Sequence, residues 1–322
     1  MKTIPKVSVI IPNYNHSHYL RQRIDSILNQ TCQDFEIIIL DDCSTDNSAQ
    51  VIETYRNHPK ISQIVINNQN SGSTFLQWQK GIEMARGKWV WIAESDDWCE
   101  PNFLEELTGK VNDEVAFAFC QSIVINQDGK KIWQTNWQPE YEEMNGNEFI
   151  KNYLVRGCYI VNASMCIFQK KYYERISPAF TKYKLIGDWV FWHEMAILGK
   201  VSISGKHLNY FRKHDADVSG NAFKLGLHYT EYLNFLDSHK NDKLLSLGDR
   251  RLAIVLRFYE FLNDTKVKEE YRKNISSLFY ARLGVKFYLL LIKNWLVKKI
   301  KTPLFRELRL RKPQFQNFTR YE

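Results

Sequence analysis

Trp89-Val90-Trp91-Ile92-Ala93-Glu94-Ser95-Asp96-Asp97-Trp98 runs from an apolar strand straight into a cluster of carboxylates. Adjacent carboxylates repel one another. Placed where a buried strand emerges, they form a hard-oxygen site for Mg²⁺ or Mn²⁺, ions usually held by one or two carboxylates and substrate phosphates. Such a cation neutralises charge on a diphosphate leaving group. The same run also reads as a solvated turn, since Ser-Asp-Asp favours turns. Its surroundings decide between the two.

Upstream, short apolar strands alternate with helices. Strands are predicted over Val7–Pro12, Phe35–Leu40, Ile61–Ile66 and Trp89–Ala93. Helices are predicted over His18–Asn29, Ala49–Arg56 and Thr74–Ala85. This alternation implies an α/β fold with a parallel, doubly wound sheet. Ligands of such sheets sit beyond the carboxyl ends of the strands, where strand order switches. Three polar clusters fall at such ends: Asn13-Tyr14-Asn15, Asp41-Asp42 and Asp96-Asp97. Further strands are read at Val115–Ile125, Ser164–Phe168 and Ile203–Phe211. Gly187-Asp188 opens an apolar helix, Trp189–Leu198. Beyond about Asn221 the pattern is helical, clearest over Leu252–Leu262 and Leu278–Ile300.

Composition fits a globular chain of 322 residues, 44% hydrophobic and 25% charged. Its net charge of +8 is unevenly spread: Tyr271–Pro313 carries twelve Lys or Arg against one Glu, leaving the remainder mildly acidic. The six cysteines show no CxxC pair and no metal-ligand spacing, and no signal-peptide h-region opens the sequence. A reducing, cytoplasmic setting is expected. No stretch reaches the roughly 18 uninterrupted apolar residues of a membrane span. The first strand is followed by no GxGxxG, which excludes a dinucleotide-binding dehydrogenase. It is followed by no Gly-rich basic loop either, which disfavours a sugar-phosphate nucleotidyltransferase. No nucleic-acid recognition motif accompanies the basic segment.

The ordered motifs resemble those of the family 2 glycosyltransferases. They are Val7-Ser8-Val9-Ile10-Ile11-Pro12-Asn13-Tyr14-Asn15, Ser26-Ile27-Leu28-Asn29-Gln30-Thr31, Phe35–Asp46, Asn70-Ser71-Gly72, Gly81-Ile82 with Ala85-Arg86-Gly87, the Ser-Asp-Asp site and Gly187-Asp188. The resemblance spans about the first 215 residues and implies the GT-A fold. The expected division is a catalytic domain over 1–220 and a helical, basic region over 221–322.

The resemblance also implies roles. Asp42 would accept a hydrogen bond from the imide N–H of uracil or thymine. Pro12 and Tyr14 would line the base pocket. Asp96 would contact the ribose or the ion, and Asp97 would bind the Mn²⁺ or Mg²⁺ that bridges the diphosphate. Asp188 would be the general base of an inverting transfer from a UDP- or dTDP-sugar. In Tyr210-Phe211-Arg212-Lys213-His214, Arg212 would clamp the donor phosphates and His214 would be a further metal ligand. The residues alone leave other readings open. Asp41 or Asp42 can cap the following helix, Asp188 can cap its own, and Arg212 and His214 can belong to a surface loop.

Two departures stand out. Gln77-Trp78-Gln79 replaces an Ala-Arg-Asn common in relatives, and Glu94 replaces a usual Asp. The lost arginine keeps a non-catalytic, donor-binding scaffold subunit in view as the alternative. Phe75-Leu76-Gln77-Trp78 looks like a subgroup acting on bacterial surface polysaccharides. The expected acceptor is then a glycan or polyprenyl-linked glycan at the cytoplasmic membrane face. The basic segment 278–312 reads either as a peripheral membrane contact or as a helix packed on protein with a solvated tail.

Overall fold

The computed structural model describes residues 4–157, 159–214, 219–239 and 244–284. Its sheet begins with β1 (Val7–Asn13) and β2 (Phe35–Asp41), both buried along their whole lengths. That is why they read as unbroken apolar runs and not as alternating ones. They pair in parallel, with Val7 opposite Phe35 and Asn13 opposite Asp41. β3 (Ile61–Ile66) lies outside β2 as a half-exposed edge strand. β4 (Trp89–Ile92) lies on the other side of β1. The order β3-β2-β1-β4 therefore reverses direction at β1, and a crevice opens there at the carboxyl ends. The helices between these strands are α1 (Ser17–Leu28), α2 (Ser48–Glu53) and α3 (Thr74–Met84). One carboxylate serves two helix starts: Asp46 accepts from the N–H of Ser17 at 2.9 Å and from that of Ser48 at 2.9 Å.

The second half extends the sheet. Its elements are β5 (Trp98–Cys99), α4 (Phe103–Gly109), β6 (Val115–Asn126), β7 (Lys131–Gln134), β8 (Tyr141–Asn145), α5 (Gly146–Phe149), β9 (Cys166–Gln169), α6 (Lys170–Tyr173), α7 (Gly187–Leu198) and β10 (Lys200–Lys213). β9 runs antiparallel between β4 and β6, and β10 runs parallel to β6. The expected α/β sheet with helices around it is present, with antiparallel strands entering only in this half. β8 went unread because Tyr141-Glu142-Glu143 is polar; it is only partly buried and pairs along β10. The irregular register of β10 against β6 brings its far end back to the acidic turn, where Tyr210 lies opposite Trp98.

Contacts divide the chain into two bodies. The first holds the described residues up to Ile150 and from 159 to His214. The second joins residues 151–157 to α8 (Ser219–Lys224), α9 (Leu227–Ser238), α10 (Leu247–Asn263) and α11 (Glu269–Leu283). A capping box formed by Ser246 and Asp249 starts α10. Tyr229, Phe258, Phe261 and Phe279 form an aromatic core for these helices, with ring centroids 5.0–6.3 Å apart. The helix expected over Leu278–Ile300 is corrected at its start. α11 begins at Glu269 and stops at Gly284, which has φ 77°, a value open to glycine at a helix end. The rest of that segment lies outside the described residues. No described helix is long and apolar enough to cross a membrane.

Candidate active site

The crevice is built from three turns at strand ends. The first follows β1 and is locked to the turn after β2. Asn13 Nδ2 donates to Asp41 Oδ1 at 2.7 Å, and Ser44 donates to both oxygens of Asp41. Asn15, at φ 57°, closes the corner by accepting from the Thr45 N–H at 2.7 Å. Asp41 is therefore a buried turn anchor, and neither Asp41 nor Asp42 caps α2, whose N-cap is Asn47. Tyr14 projects from the same corner at 38% exposure, beside buried Pro12. An exposed ring on a fixed turn can stack on a planar base.

Asp42 faces the other way. Its carboxylate accepts from Asn67 Nδ2 at 2.7 Å, from the Ser71 N–H and hydroxyl at 3.0 and 2.7 Å, and from Gln77 Nε2 at 2.9 Å. Gln77 thus belongs to the Asp42 pocket. Its neighbour Trp78, where the resemblance leads one to expect arginine, turns an N–H to the acidic turn. Trp78 Nε1 donates to Glu94 Oε1 at 2.8 Å.

The acidic turn is the third element. Ser164 Oγ accepts from the Glu94 N–H at 3.0 Å, and Ser95 Oγ lies 2.8 Å from His16 Nδ1. Asp96 Oδ2 lies 3.1 Å from His214 Nε2. His16, Asp96 and His214 each offer one ligand atom within 4.8 Å of the others, the one such group of three among the described residues. Two imidazoles and a carboxylate form a mixed nitrogen and oxygen donor set of the kind that holds divalent transition ions. Of the two expected ions, imidazole ligands disfavour Mg²⁺, which takes oxygen.

Asp97, expected as the main metal ligand, turns inward. It is 1% exposed and accepts from the Arg212 N–H at 3.0 Å and from Asn162 Nδ2 at 2.6 Å. Its place is in the joint between the acidic turn and β10. Burial raises the pKa of both Glu94, to about 8, and Asp97, and the neighbouring Asp96 charge adds to this. Burial acts upward on Asp96 as well. The His214 hydrogen bond and the charges of His16 and His214 outweigh it and hold Asp96 low. The anionic carboxylate thus faces the imidazoles.

Replacing Asp97 with Ala leaves two buried donors without acceptors and should cost about 3 kcal/mol of stability. Urea unfolding in EDTA checks this. An unchanged midpoint together with lost Mn²⁺ binding would return Asp97 to the metal.

Arg212 is also more internal than expected. It is 5% exposed and donates to the Asp96 carbonyl, the Gln127 carbonyl and Gln22 Oε1, each at 2.9 Å. Its guanidinium stacks 4.4 Å from Tyr19 and 5.0 Å from Trp98. Arg212 therefore fixes the backbone that carries Asp96, two residues before His214. Trp98 stacks on Tyr210 at 4.6 Å, which places it in the scaffold of this turn.

Asp188 stands in the first turn of α7, and its Oδ1 accepts from the Trp189 N–H at 2.7 Å. A helix N-terminus favours the carboxylate form. Gly187 permits the placement, since a Cβ there would lie 2.5 Å from the Phe75 ring. Phe75 in turn packs edge-on against Trp78 at 5.1 Å. Asp188 is thereby tied, through Gly187, Phe75 and Trp78, to the element that holds Glu94. Trp189 and Trp192 are core residues.

Sequence reading passed over His16. It stopped at Asn15, one residue short of a side chain that the positive-φ corner turns onto Ser95 and Asp96. Asn162 and Ser164 carried no signal, because they reach the site only through the antiparallel insertion of β9.

Several known proteins resemble the chain. The B. subtilis protein EpsH, named as a glycosyltransferase, is 27% identical over 87% of this chain and 76% of its own length. The glycosyltransferase GlyG of Streptococcus pneumoniae is 25% identical over 87% and 82%. The teichuronic acid biosynthesis protein TuaG of B. subtilis is 31% identical over 49% of this chain and 61% of its own length. Among solved structures, S. aureus TarS in complex with UDP-GlcNAc has a TM-score of 0.56 at 20% identity, covering 86% of this chain and 89% of that one. The likeness extends the fold assignment to GT-A. Residues 8–177, more than half of the sequence, match the description "Glycosyl transferase family 2", and the chain belongs to that family.

Proposed function

We propose that the protein transfers a sugar, with inversion, from a UDP- or dTDP-sugar to a hydroxyl of a glycan or lipid-linked glycan acceptor. The observation that carries this reading is the His16–Asp96–His214 cluster at the switch point of the sheet, beside the Asp42 pocket. A bound divalent ion would neutralise charge on the departing diphosphate. His16, Asp96 and His214 would hold that ion. Asp42, with Asn67, Ser71 and Gln77 around it, would present a carboxylate edge to the imide N–H of the base, and Tyr14 would cover the base's face. Arg212 keeps Asp96 in place. Asp188 takes the proton from the acceptor hydroxyl as that oxygen attacks the anomeric carbon. The direct displacement inverts the configuration there.

The names of the relatives support a glycan product: TuaG is named for teichuronic acid biosynthesis, and the TarS structures hold UDP or UDP-GlcNAc. A lipid-linked acceptor would also give the basic segment 278–312 a role on an anionic membrane face. The scaffold alternative would need no base and no ion, so the cluster and Asp188 favour catalysis.

A thermal-shift panel with UDP, dTDP and GDP, each with and without Mn²⁺, tests the donor class. A ligand that binds the native state raises its stability by mass action, by about 2.7 kcal/mol at a hundredfold excess over Kd. Stabilisation by a pyrimidine diphosphate only when Mn²⁺ is present is the expected pattern. A shift with GDP alone would exclude the pyrimidine reading, and no shift at all would favour the scaffold.

A further inference from the structure

The Asp42 carboxylate takes four donor groups: the Asn67 amide, the N–H and the hydroxyl of Ser71, and the Gln77 amide. A carboxylate offers about four lone-pair positions. The N–H of a nucleobase can therefore reach Asp42 only where one of these donors withdraws. Ser71 is the least able to do so, because its backbone N–H lies 3.0 Å from both Asp42 oxygens.

The two amides are held differently. Asn67 is fastened at both ends: Nδ2 donates to Asp42 Oδ1 at 2.7 Å, and Oδ1 accepts from Lys80 Nζ at 2.6 Å. Gln77 is fastened at one end. Its Nε2 donates to Asp42 Oδ1 at 2.9 Å and to Ser71 Oγ at 3.0 Å, while its Oε1 is buried with no hydrogen-bond partner in the described structure. Turning the amide over does not cure this, since Oε1 would then face the Asp42 oxygen. Gln77 is 4% exposed, and an unpaired buried carbonyl is costly. Of the four donors, Gln77 has the least to lose by leaving.

We propose that Gln77 sets the base selectivity of this pocket: it yields Asp42 Oδ1 to the imide N–H of the base and turns the freed N–H to the adjoining base carbonyl, the one far from the ribose. The ribose and diphosphate lie towards the acidic turn, so the far edge of the base meets Gln77. Asp42 keeps four donors through the exchange, and Gln77 keeps its bond to Ser71. The pair then reads an N–H beside a carbonyl, as uracil and thymine present. Cytosine offers a lone pair where Asp42 needs an N–H, and an amine where Gln77 already donates one. The proposal rests on the reading of Asp42 as the base pocket.

The test is calorimetric binding of UDP, CDP and 4-thio-UDP, each with Mn²⁺, to the wild type and to Gln77→Met. Methionine keeps the length of the side chain and removes both polar atoms, the unpaired oxygen included. Sulfur in the base is a weak acceptor where oxygen is a good one. The wild type should bind UDP about tenfold more tightly than 4-thio-UDP and at least about a hundredfold more tightly than CDP, the worth of one and of two such contacts. In Gln77→Met both preferences should fall about tenfold, so that UDP and 4-thio-UDP bind alike.

Preferences that are the same in both proteins would show that Gln77 only props Asp42 and overturn the proposal, while the binding of UDP leaves the Asp42 pocket standing. A wild type that binds no pyrimidine diphosphate would remove the pocket and the proposal with it. If Gln77→Met does not fold, the wild type alone decides. Equal affinity for UDP and 4-thio-UDP overturns the proposal, and a loss of about tenfold upholds it.

Discussion

Asp188→Asn is expected to bind the nucleotide donor as the wild type does and to transfer sugar about a thousandfold more slowly, within the range that positioned general bases contribute. The amide keeps the shape of the carboxylate and still accepts the Trp189 N–H, so the start of α7 stays intact. It cannot take a proton from the acceptor hydroxyl. Loss of turnover with an unchanged melting temperature and unchanged nucleotide affinity therefore isolates the chemical role from the hydrogen bond to Trp189. The N-cap of α7 is Ile186, not Asp188; the competing idea, that Asp188 only steadies the first turn through the Trp189 N–H, predicts that Asn, which also accepts there, leaves transfer at the wild-type rate. Steady-state transfer and calorimetric nucleotide binding, measured on one preparation, separate the two.

The second large effect is expected at Asp96. Asp96→Asn removes the only carboxylate of the three-residue cluster and leaves the fold alone, because Arg212 holds the Asp96 backbone carbonyl and not its side chain. Even residues behind a metal ligand are worth 10- to 100-fold in affinity. Losing the ligand itself should weaken Mn²⁺ binding by at least about a hundredfold, and with it the metal-dependent part of nucleotide binding. The neighbouring Asp97→Ala is expected to show the reverse pattern, with stability lost first. The two adjacent aspartates are thus separable by which property each one moves.

That separation marks where sequence reading ran out. β1, β2, β3 and β4 were legible because each is a short β-branched or aromatic run closed by polar residues, and burial on both faces leaves no ambiguity of phase. Their alternation with helices points to the switch point of the sheet. Which of two adjacent carboxylates faces the two imidazoles was not legible. It depends on Asn162 and on the backbone of Arg212, which arrive from the turn before β9 and from β10, some 65 and 115 residues away in sequence. His16 was one residue beyond a cluster already noted, and the left-handed Asn15 that aims it has no strong sequence mark. Arg23 sits at a helical position flanked by Leu20 and Ile24, and its charge gave no warning that it was buried. Gln77-Trp78 was recognised as a departure. Its meaning, an Asp42 contact followed by a Glu94 contact, needed the helix to be in place.

The central claim is that two imidazoles and Asp96 bind the ion that ties the donor diphosphate to this crevice. Electron spin-echo modulation of Mn²⁺ bound to the protein in the presence of UDP tests it most directly, because ligand nitrogen leaves its own modulation frequencies. The wild type should show nitrogen modulation, weakened in both His16→Gln and His214→Gln and independent of turnover. Tightly bound Mn²⁺ with no nitrogen modulation in the wild type would place the ion on oxygen ligands alone and contradict the account.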